Sequence, residues 1–149
     1  MNSNKPIEKF QLSNIKHIFI VASGKGGVGK STVAAILALS LAKKGYRTGL
    51  LDADMYGPSI PTIFGIENER PASEEIDGKT WIEPLEKNDL RIISLGFFIK
   101  PDQAVLWRGP MVTNALKQLL NDTHWGELDY LIIDTPPGTG DIHITLIQQ

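Results

Sequence analysis

The stretch Gly24-Lys25-Gly26-Gly27-Val28-Gly29-Lys30-Ser31-Thr32 decides the fold of this chain. An apolar run precedes it at residues 18–22, and an apolar, alanine-rich segment follows it at residues 33–42. This order predicts a strand, a glycine-rich loop and a helix, in which the backbone N–H groups of the loop surround a cluster of anionic oxygens. The spacing within the stretch satisfies G-x-x-x-x-G-K-[ST], so we expect a nucleoside triphosphate as the ligand.

The residue types in this stretch suit phosphate binding. Glycine lets the backbone approach a phosphate without a Cβ in the way, and the first turn of the following helix offers unpaired N–H groups to negative charge. We expect Lys30 to reach the β- and γ-phosphates and the Ser31 hydroxyl to ligate Mg²⁺. A glycine-rich turn in a domain that binds no nucleotide is the alternative, which the Lys-Ser pair and both flanks disfavour. The predicted nucleotide-binding residues of the stretch are Gly24, Lys25, Gly26, Gly27, Val28, Gly29, Lys30, Ser31 and Thr32.

The composition is typical of one globular domain. The chain has 149 residues, of which 42% are hydrophobic and 21% are charged, and its formal net charge is −2. This charge gives no global basic field to attract nucleic acid or anionic lipid, so we expect neither nucleic acid nor a membrane as a partner. The sequence contains no cysteine, which excludes disulfides and thiolate metal ligands within these residues. No segment resembles a secretory leader or reaches the roughly 18 apolar residues of a membrane span, so we expect a cytoplasmic protein.

Alternating strand and helix patterns predict an α/β fold with a mostly parallel sheet and helices on both faces. The run His17–Ser23 is apolar without alternation, which predicts a strand covered on both faces, and we expect it to be the central strand. The helix over residues 30–44 is apolar around much of its circumference, so we predict that it is largely buried and that Gly45 follows its end. Further predicted elements are a strand at 48–51, a hairpin with strands at 81–85 and 90–95, a helix with Pro110 near its first position, and a strand at 128–133.

Aspartates end two of the predicted strands. The apolar run that ends at Asp134 is what a phosphate-loop enzyme needs beside its glycine loop, because such a carboxylate orients Mg²⁺ directly or through water. Asp52 and Asp54 are separated by one residue and project to the same side of their strand. We interpret Asp52 as close to the water shell of the metal and Asp54 as the residue that orients the attacking water. The alternative for each aspartate is a cap or a solvated strand end, and the backbone N–H of Gly138 is a further candidate contact for the γ-phosphate.

Four separated motifs in this order resemble the Mrp/ApbC family of iron–sulfur cluster carrier ATPases, which is related to the MinD and ParA ATPases. The motifs are Gly24–Ser31, Asp52–Pro61, Arg108–Met111 and Trp125–Asp141. The resemblance implies a P-loop NTPase fold with three layers, α/β/α, that is incomplete at its C-terminal end. It divides the chain into an N-terminal tail over residues 1–15 and a partial P-loop ATPase domain over residues 16–149.

The resemblance also implies a function and roles for particular residues. It implies a homodimer that binds ATP, hydrolyses it slowly to ADP and phosphate, and serves client iron–sulfur apoproteins. In the wider group, the residue that matches Lys25 contacts phosphate across a nucleotide-sandwich dimer. Asp54 matches the residue that activates water, whereas Asp52 and Asp134 match carboxylates on the magnesium side. The predicted catalytic residues are Lys25, Lys30 and Asp54, and the predicted metal ligands are Ser31, Asp52 and Asp134.

The sequence departs from the family at its C-terminal end. Family members continue with further strands and a Cys-x-x-Cys motif that binds a [4Fe–4S] cluster between two protomers, whereas this chain has no cysteine to supply such ligands. We therefore interpret the chain as a truncated product in which the strand at residues 18–22 has an exposed apolar edge, and we expect it to be marginally stable and to bind ATP weakly. The alternative function is a MinD/ParA-like positioning ATPase that acts on a membrane or DNA, and a binding module without catalysis is a third reading.

Overall fold

The structure of the protein is a computed structural model that describes residues 14–21, 29–54, 60–99, 106 and 109–135. Strands and helices alternate along much of the chain, as the apolar patterns predict, but four strands follow one another over residues 73–94. In chain order the elements are β1 (Ile15–Val21), α1 (Lys30–Lys43), β2 (Thr48–Asp52), α2 (Ile60–Ile63), β3 (Ser73–Ile76), β4 (Lys79–Ile82), β5 (Leu85–Lys87), β6 (Leu90–Ser94), a 3₁₀ turn (Leu95–Phe97), α3 (Gly109–Asp122) and β7 (Leu128–Asp134).

Five of the strands form one mostly parallel sheet, in the order β1-β7-β2-β6-β5. The pairs β1/β7, β7/β2 and β2/β6 are parallel, and only β5 is antiparallel to its neighbour β6. Successive side chains of a strand point to opposite faces, so Leu50 packs with the alanines of α1 while Leu51 packs with α3 residues such as Leu116. The described part of the chain thus has helices on both faces of a parallel sheet, as predicted.

β1 occupies a different place from the one predicted for it. Within the described sheet it lies at an edge and pairs only with β7, and the side chains of Ile18 and Phe19 are 39% and 44% exposed. The prediction of a central strand covered on both faces was therefore wrong, because an unbroken apolar run does not reveal how many neighbours the strand has. The exposed apolar edge expected from the resemblance is present. Ile15, placed in the tail by the sequence pattern, is the buried first residue of β1.

The prediction that α1 is largely buried was also wrong. Its buried positions are Lys30 and three alanines, Ala34, Ala35 and Ala38, whereas Val33 and Ile36 are 55% and 58% exposed. Alanine lets a helix lie close to a sheet, but only one side of α1 meets β7 and β2. The predicted end was correct, since Gly45 follows the helix with φ 96, a conformation that favours glycine.

The predicted hairpin is present with shifted strands. β5 and β6 pair across the turn Asn88-Asp89, in which both residues have positive φ (54 and 64). Trp81 lies instead in β4 and pairs with Glu74 of β3 in a separate two-stranded sheet. The residues Glu83-Pro84 interrupt the run between β4 and β5, since proline cannot donate a ladder hydrogen bond. No helix within the described ranges is long and apolar enough to span a membrane.

Candidate functional site

Three parallel strands end side by side next to the start of α1. The register aligns the last residue of β7, Asp134, with Val21 at the end of β1 and with Asp52 at the end of β2. Backbone hydrogen bonds continue past the strand ends, where Ala53 N–H donates to the Asp134 carbonyl at 2.8 Å and Thr135 N–H donates to the Val21 carbonyl at 3.2 Å. Carboxyl ends of neighbouring parallel strands are where α/β sheets bind ligands, so this edge is the candidate site.

The first turn of α1 faces this edge. Gly29 precedes the helix in a left-handed conformation (φ 77) and has no side chain to cap it. The first intrahelical hydrogen bond runs from Val33 N–H to the Gly29 carbonyl at 3.0 Å. The helix geometry therefore leaves the N–H groups of Lys30, Ser31 and Thr32 without intrahelical partners. These N–H groups and the helix dipole favour an anion at this position.

Lys30 is nearly enclosed by the protein, since only 8% of the residue is exposed. Its ammonium group contacts the Asp134 carboxylate and lies 3.6 Å from Oδ2 of Asp54. A buried ammonium is costly unless carboxylates or other acceptors surround it. These two carboxylates hold the lysine at the head of α1.

Ser31 and Asp134 form a pair of oxygen donors beside Lys30. The Ser31 hydroxyl donates to Oδ2 of Asp134 at 2.6 Å, and Asp134 is fully buried. Mg²⁺ binds protein through one or two hard oxygen ligands and takes the rest of its shell from water and phosphate, so this pair fits a nucleotide-dependent magnesium site. No group of three or more His, Cys, Asp or Glu side chains in the described residues is placed to hold a metal ion by itself.

Asp52 and Asp54 differ sharply in environment although they are only two residues apart. Asp54 is partly exposed, while Asp52 is fully buried and accepts hydrogen bonds from the Asp54 N–H at 3.0 Å and from the Ser94 hydroxyl at 2.9 Å. Burial, assisted by the nearby charge of Asp134, raises the pKa of Asp52 to about 7, and the hydrogen bonds oppose this rise. Asp52 and Asp54, which the sequence predicts to face one magnesium-phosphate centre, thus differ in burial, because Asp52 is enclosed by protein and Asp54 is partly exposed.

The structure brings together a subset of the predicted site residues. Lys30, Ser31, Asp54 and Asp134 converge within contact distance, and the side chain of Thr32 is exposed in the first turn of α1. Gly29 has the positive φ expected of the last loop glycine. The other predicted ligands lie outside the described residues, namely Gly24, Lys25, Gly26, Gly27, Val28 and Gly138.

Two polar residues of this edge were missed by the sequence reasoning. Ser94 ends the apolar strand β6 and is buried against Asp52, and the Thr135 hydroxyl donates to the Val21 carbonyl at 3.0 Å. A polar residue that closes a buried apolar run was the available signal for both.

The chain is similar to known iron–sulfur carriers over most of its length. Residues 14–149 match the ParA family model, described as NUBPL iron-transfer P-loop NTPase. The chain is 51% identical to the iron-sulfur cluster carrier protein of Rickettsia felis, over 97% of this chain and 46% of that protein. It is 52% and 53% identical to the proteins of that name from Aquifex aeolicus and Escherichia coli, covering 37% and 36% of them. It therefore spans less than half the length of these relatives.

Solved structures with this fold include a nucleotide-binding protein of Archaeoglobus fulgidus in complex with ADP. That protein is 39% identical to this chain, with a TM-score of 0.79 over 99% of this chain and 55% of its own. A chain of the MinC:MinD cell division complex of Aquifex aeolicus has a TM-score of 0.52 at 21% identity, covering 89% of this chain and 52% of that one. The second likeness concerns the fold alone.

Proposed function

Because this chain belongs to the family of NUBPL iron-transfer P-loop NTPases, we propose that it is part of the ATP-binding and ATP-hydrolysing region of an iron–sulfur cluster carrier. The observation that carries the proposal is the convergence of Lys30, Ser31, Asp54 and Asp134 at the head of α1. Identity above 50% to proteins named iron-sulfur cluster carrier protein supports an iron–sulfur cluster as the cargo. A positioning ATPase is not favoured, because its likeness to this chain is limited to the fold.

The nucleotide would place its phosphates against the first turn of α1. The N–H groups of that turn provide fixed donors, and the Lys30 ammonium is a compact positive charge within reach of phosphate oxygens. Phosphate oxygens would compete with Asp134 and Asp54 for that ammonium. Binding would thus exchange one set of anionic partners of Lys30 for another while the ammonium stays buried.

Ser31 and Asp134 are the residues that would hold magnesium, Ser31 directly and Asp134 directly or through water. The ion, when bound, would supply neutralisation of charge on the phosphate oxygens. These residues would fix where the phosphates lie relative to Lys30, and the Ser31–Asp134 hydrogen bond at 2.6 Å sets the relative position of the two oxygen donors. A place for Asp52 near the water shell of this ion is a separate hypothesis, to which a positioning role for Asp52 is the alternative.

Asp54 would orient the attacking water. Its carboxylate is partly exposed and lies beside Lys30, so a water bound to it would be next to the terminal phosphate. In the hydrolysis step the water oxygen forms a bond to the γ-phosphorus and passes a proton to a phosphate oxygen, the bond from that phosphorus to the β–γ bridging oxygen breaks, and ADP and phosphate leave. Positioning and charge neutralisation suffice for this reaction. Lys25 would add a cation from a partner protomer, a role that rests on family resemblance.

The carrier function would belong to the longer protein of which this chain spans a part. A cluster needs thiolate ligands, and these 149 residues include no cysteine. The cluster is therefore proposed as cargo held by residues outside this chain, for delivery to client apoproteins. A homodimer and a cytoplasmic location stay predictions from the sequence.

The test is nucleotide binding and turnover by the full-length protein with and without Lys30. We expect Lys30→Ala to lower ATP turnover by at least about a hundredfold, the scale for losing a charge-stabilising donor at a reaction centre. Lys44→Ala is the matched control, since Lys44 is exposed at the other end of the same helix. Turnover that survives Lys30→Ala unchanged would refute the proposal, and cluster transfer to an apoprotein that proceeds equally without ATP would refute its coupling to the cargo.

A further inference from the structure

Both carboxylate oxygens of Asp52 accept hydrogen bonds from donors of the protein. Its Oδ1 accepts from the Asp54 N–H at 3.0 Å. Its Oδ2 accepts from the Ser94 hydroxyl at 2.9 Å and from the Ile60 N–H at 3.3 Å. One buried side chain therefore joins the end of β2, the end of β6 and the first residue of α2.

Two of these donors flank the same segment of chain. Asp54 and Ile60 stand on either side of residues 55–59, and both donate their backbone N–H to Asp52. Asp52 thus fixes the two flanking residues, Asp54 and Ile60, relative to the sheet. Asp54 is the candidate that orients the water. Its hydrogen bond to Asp52 therefore also fixes the position of the Asp54 backbone.

Ser94 holds the other side of Asp52. It is fully buried and aligned with Asp52 in the β2/β6 register. Its hydroxyl accepts from the Gly96 N–H at 3.0 Å while it donates to Asp52. With its donor and one acceptor position occupied, the hydroxyl has a defined direction and keeps the carboxylate from rotating.

Asp54 is then held from two directions. The preceding N–H, that of Ala53, donates to the Asp134 carbonyl at 2.8 Å, and its own N–H donates to Asp52. Its carboxylate lies 3.6 Å from the Lys30 ammonium. A displacement of about 1 Å at such a group can change a rate by about a hundredfold.

We propose that Asp52, supported by Ser94, is a positioning residue that sets Asp54 against Lys30, rather than a ligand of the metal or of its water shell. A carboxylate has about four acceptor sites, and donors within the described residues fill three of those of Asp52. The inference rests on the proposed ATPase function and adds to it how the water-orienting residue is placed.

Asp52→Asn tests the arrangement with little change in shape. An amide has one oxygen and one NH₂ group, so in either orientation an NH₂ faces the N–H of Asp54 or of Ile60. In the full-length protein we expect kcat for ATP to fall about tenfold to a hundredfold, while KM for ATP and the half-saturating Mg²⁺ concentration change less than about twofold. Asp77→Asn, the same exchange at an exposed turn with positive φ, is the control and should leave all three quantities unchanged.

A double-variant comparison identifies the route of the effect. If Asp52 acts through Asp54, then Asp52→Asn should cause little further loss of kcat in a protein that already carries Asp54→Ala. Ser94→Ala should lower kcat in the same direction by a smaller factor, with Ser40→Ala on the exposed face of α1 as its control. If Asp52→Asn does not fold, the kcat of Ser94→Ala tests the positioning role of Asp52 in its place.

Three results would overturn the proposal. One is a half-saturating Mg²⁺ concentration that rises in Asp52→Asn, with activity restored by excess Mg²⁺, which would indicate a metal-side role. The second is a fully additive loss with Asp54→Ala, and the third is unchanged kcat in Ser94→Ala. Failure of the ATPase proposal is distinct, because it would show as wild-type turnover that does not depend on Lys30.

Discussion

Lys30 and Asp134 form a buried ion pair between the start of α1 and the end of β7. Asp134 is fully buried, and the side chain of Lys30 is 6% exposed. Such a pair contributes little net stability once desolvation is counted, but removing one partner leaves an uncompensated charge. Single substitutions of Lys30 or Asp134, two residues of the proposed nucleotide site, should therefore change the free energy of unfolding.

Asp134→Ala should lower the free energy of unfolding of the ligand-free, full-length protein by about 3 kcal/mol, because the Lys30 ammonium loses its fully buried partner and keeps the partly exposed carboxylate of Asp54 at 3.6 Å. Adding Lys30→Met should recover much of this loss, since the second change removes the stranded charge. Urea unfolding measures both effects.

The exposed pair of Lys79 and Asp122 provides the comparison for this prediction. Their charged atoms are 3.2 Å apart, and the side chains are 35% and 29% exposed. Asp122→Ala should cost at most about 1 kcal/mol, as is usual for surface pairs. Equal costs for Asp134→Ala and Asp122→Ala would show that burial does not govern the Lys30 pair.

At the scale of elements, the β5/β6 hairpin owes its shape to an uncommon turn. Asn88 and Asp89 both have positive φ, as in the two-residue turns whose twist matches that of paired strands. Asparagine accepts this conformation readily, whereas glycine is the usual second residue. The hairpin places β6, and with it Ser94, beside β2.

Asp89→Gly should therefore raise the free energy of unfolding by about 0.5–1 kcal/mol, because it removes the strain of a left-handed residue with a side chain. Glu86→Gly, an acidic-to-glycine change inside β5, should lower it, since glycine weakens a strand. Chemical unfolding of both variants at constant m-value checks the opposite signs. A destabilised Asp89→Gly protein would mean that the Asp89 side chain stabilises the turn more than its conformation strains it.

At the scale of the whole molecule, the described sheet has one apolar edge. Among the described strands β1 has a single neighbour, β7, and it exposes Ile18 and Phe19 on opposite faces. The rings of His17 and Phe19 stack on Tyr130 at 5.3 and 5.7 Å, which covers this side of the sheet only in part. An unpaired apolar edge is a template for association with another chain.

The 149-residue chain should accordingly self-associate as its concentration rises. Ile18→Lys should reduce this association, because a lysine on an edge strand opposes strand pairing. Ile36→Lys is the same exchange on the exposed side of α1. It removes more exposed apolar surface, since Ile36 is 58% exposed and Ile18 is 39% exposed, yet it should reduce the association less. Sedimentation velocity over a series of concentrations measures the difference, and equal effects of the two lysines would argue against association through the edge.

Local patterns were sufficient to predict much of the fold and the convergence at the site. The G-x-x-x-x-G-K-[ST] spacing between an apolar strand and an alanine-rich helix predicts the strand–loop–helix unit, because glycine conformations and helix N–H groups are properties of short segments. The apolar runs that end at Asp52 and Asp134 predict parallel strands, whose carboxyl ends share an edge. That Lys30, Ser31 and Asp134 meet follows from these two facts.

The tertiary structure alone decided the neighbours of each residue. An apolar run reads the same at the centre and at the edge of a sheet, so the sequence could not place β1, and the apolar circumference of α1 could not reveal which side meets the sheet. Asp52 and Asp54 look equivalent in the sequence, yet the hydroxyl of Ser94, from a strand 42 residues further along the chain, donates to Asp52. Burial and hydrogen-bond partners depend on the register between strands far apart in the chain, and no local pattern specifies that register.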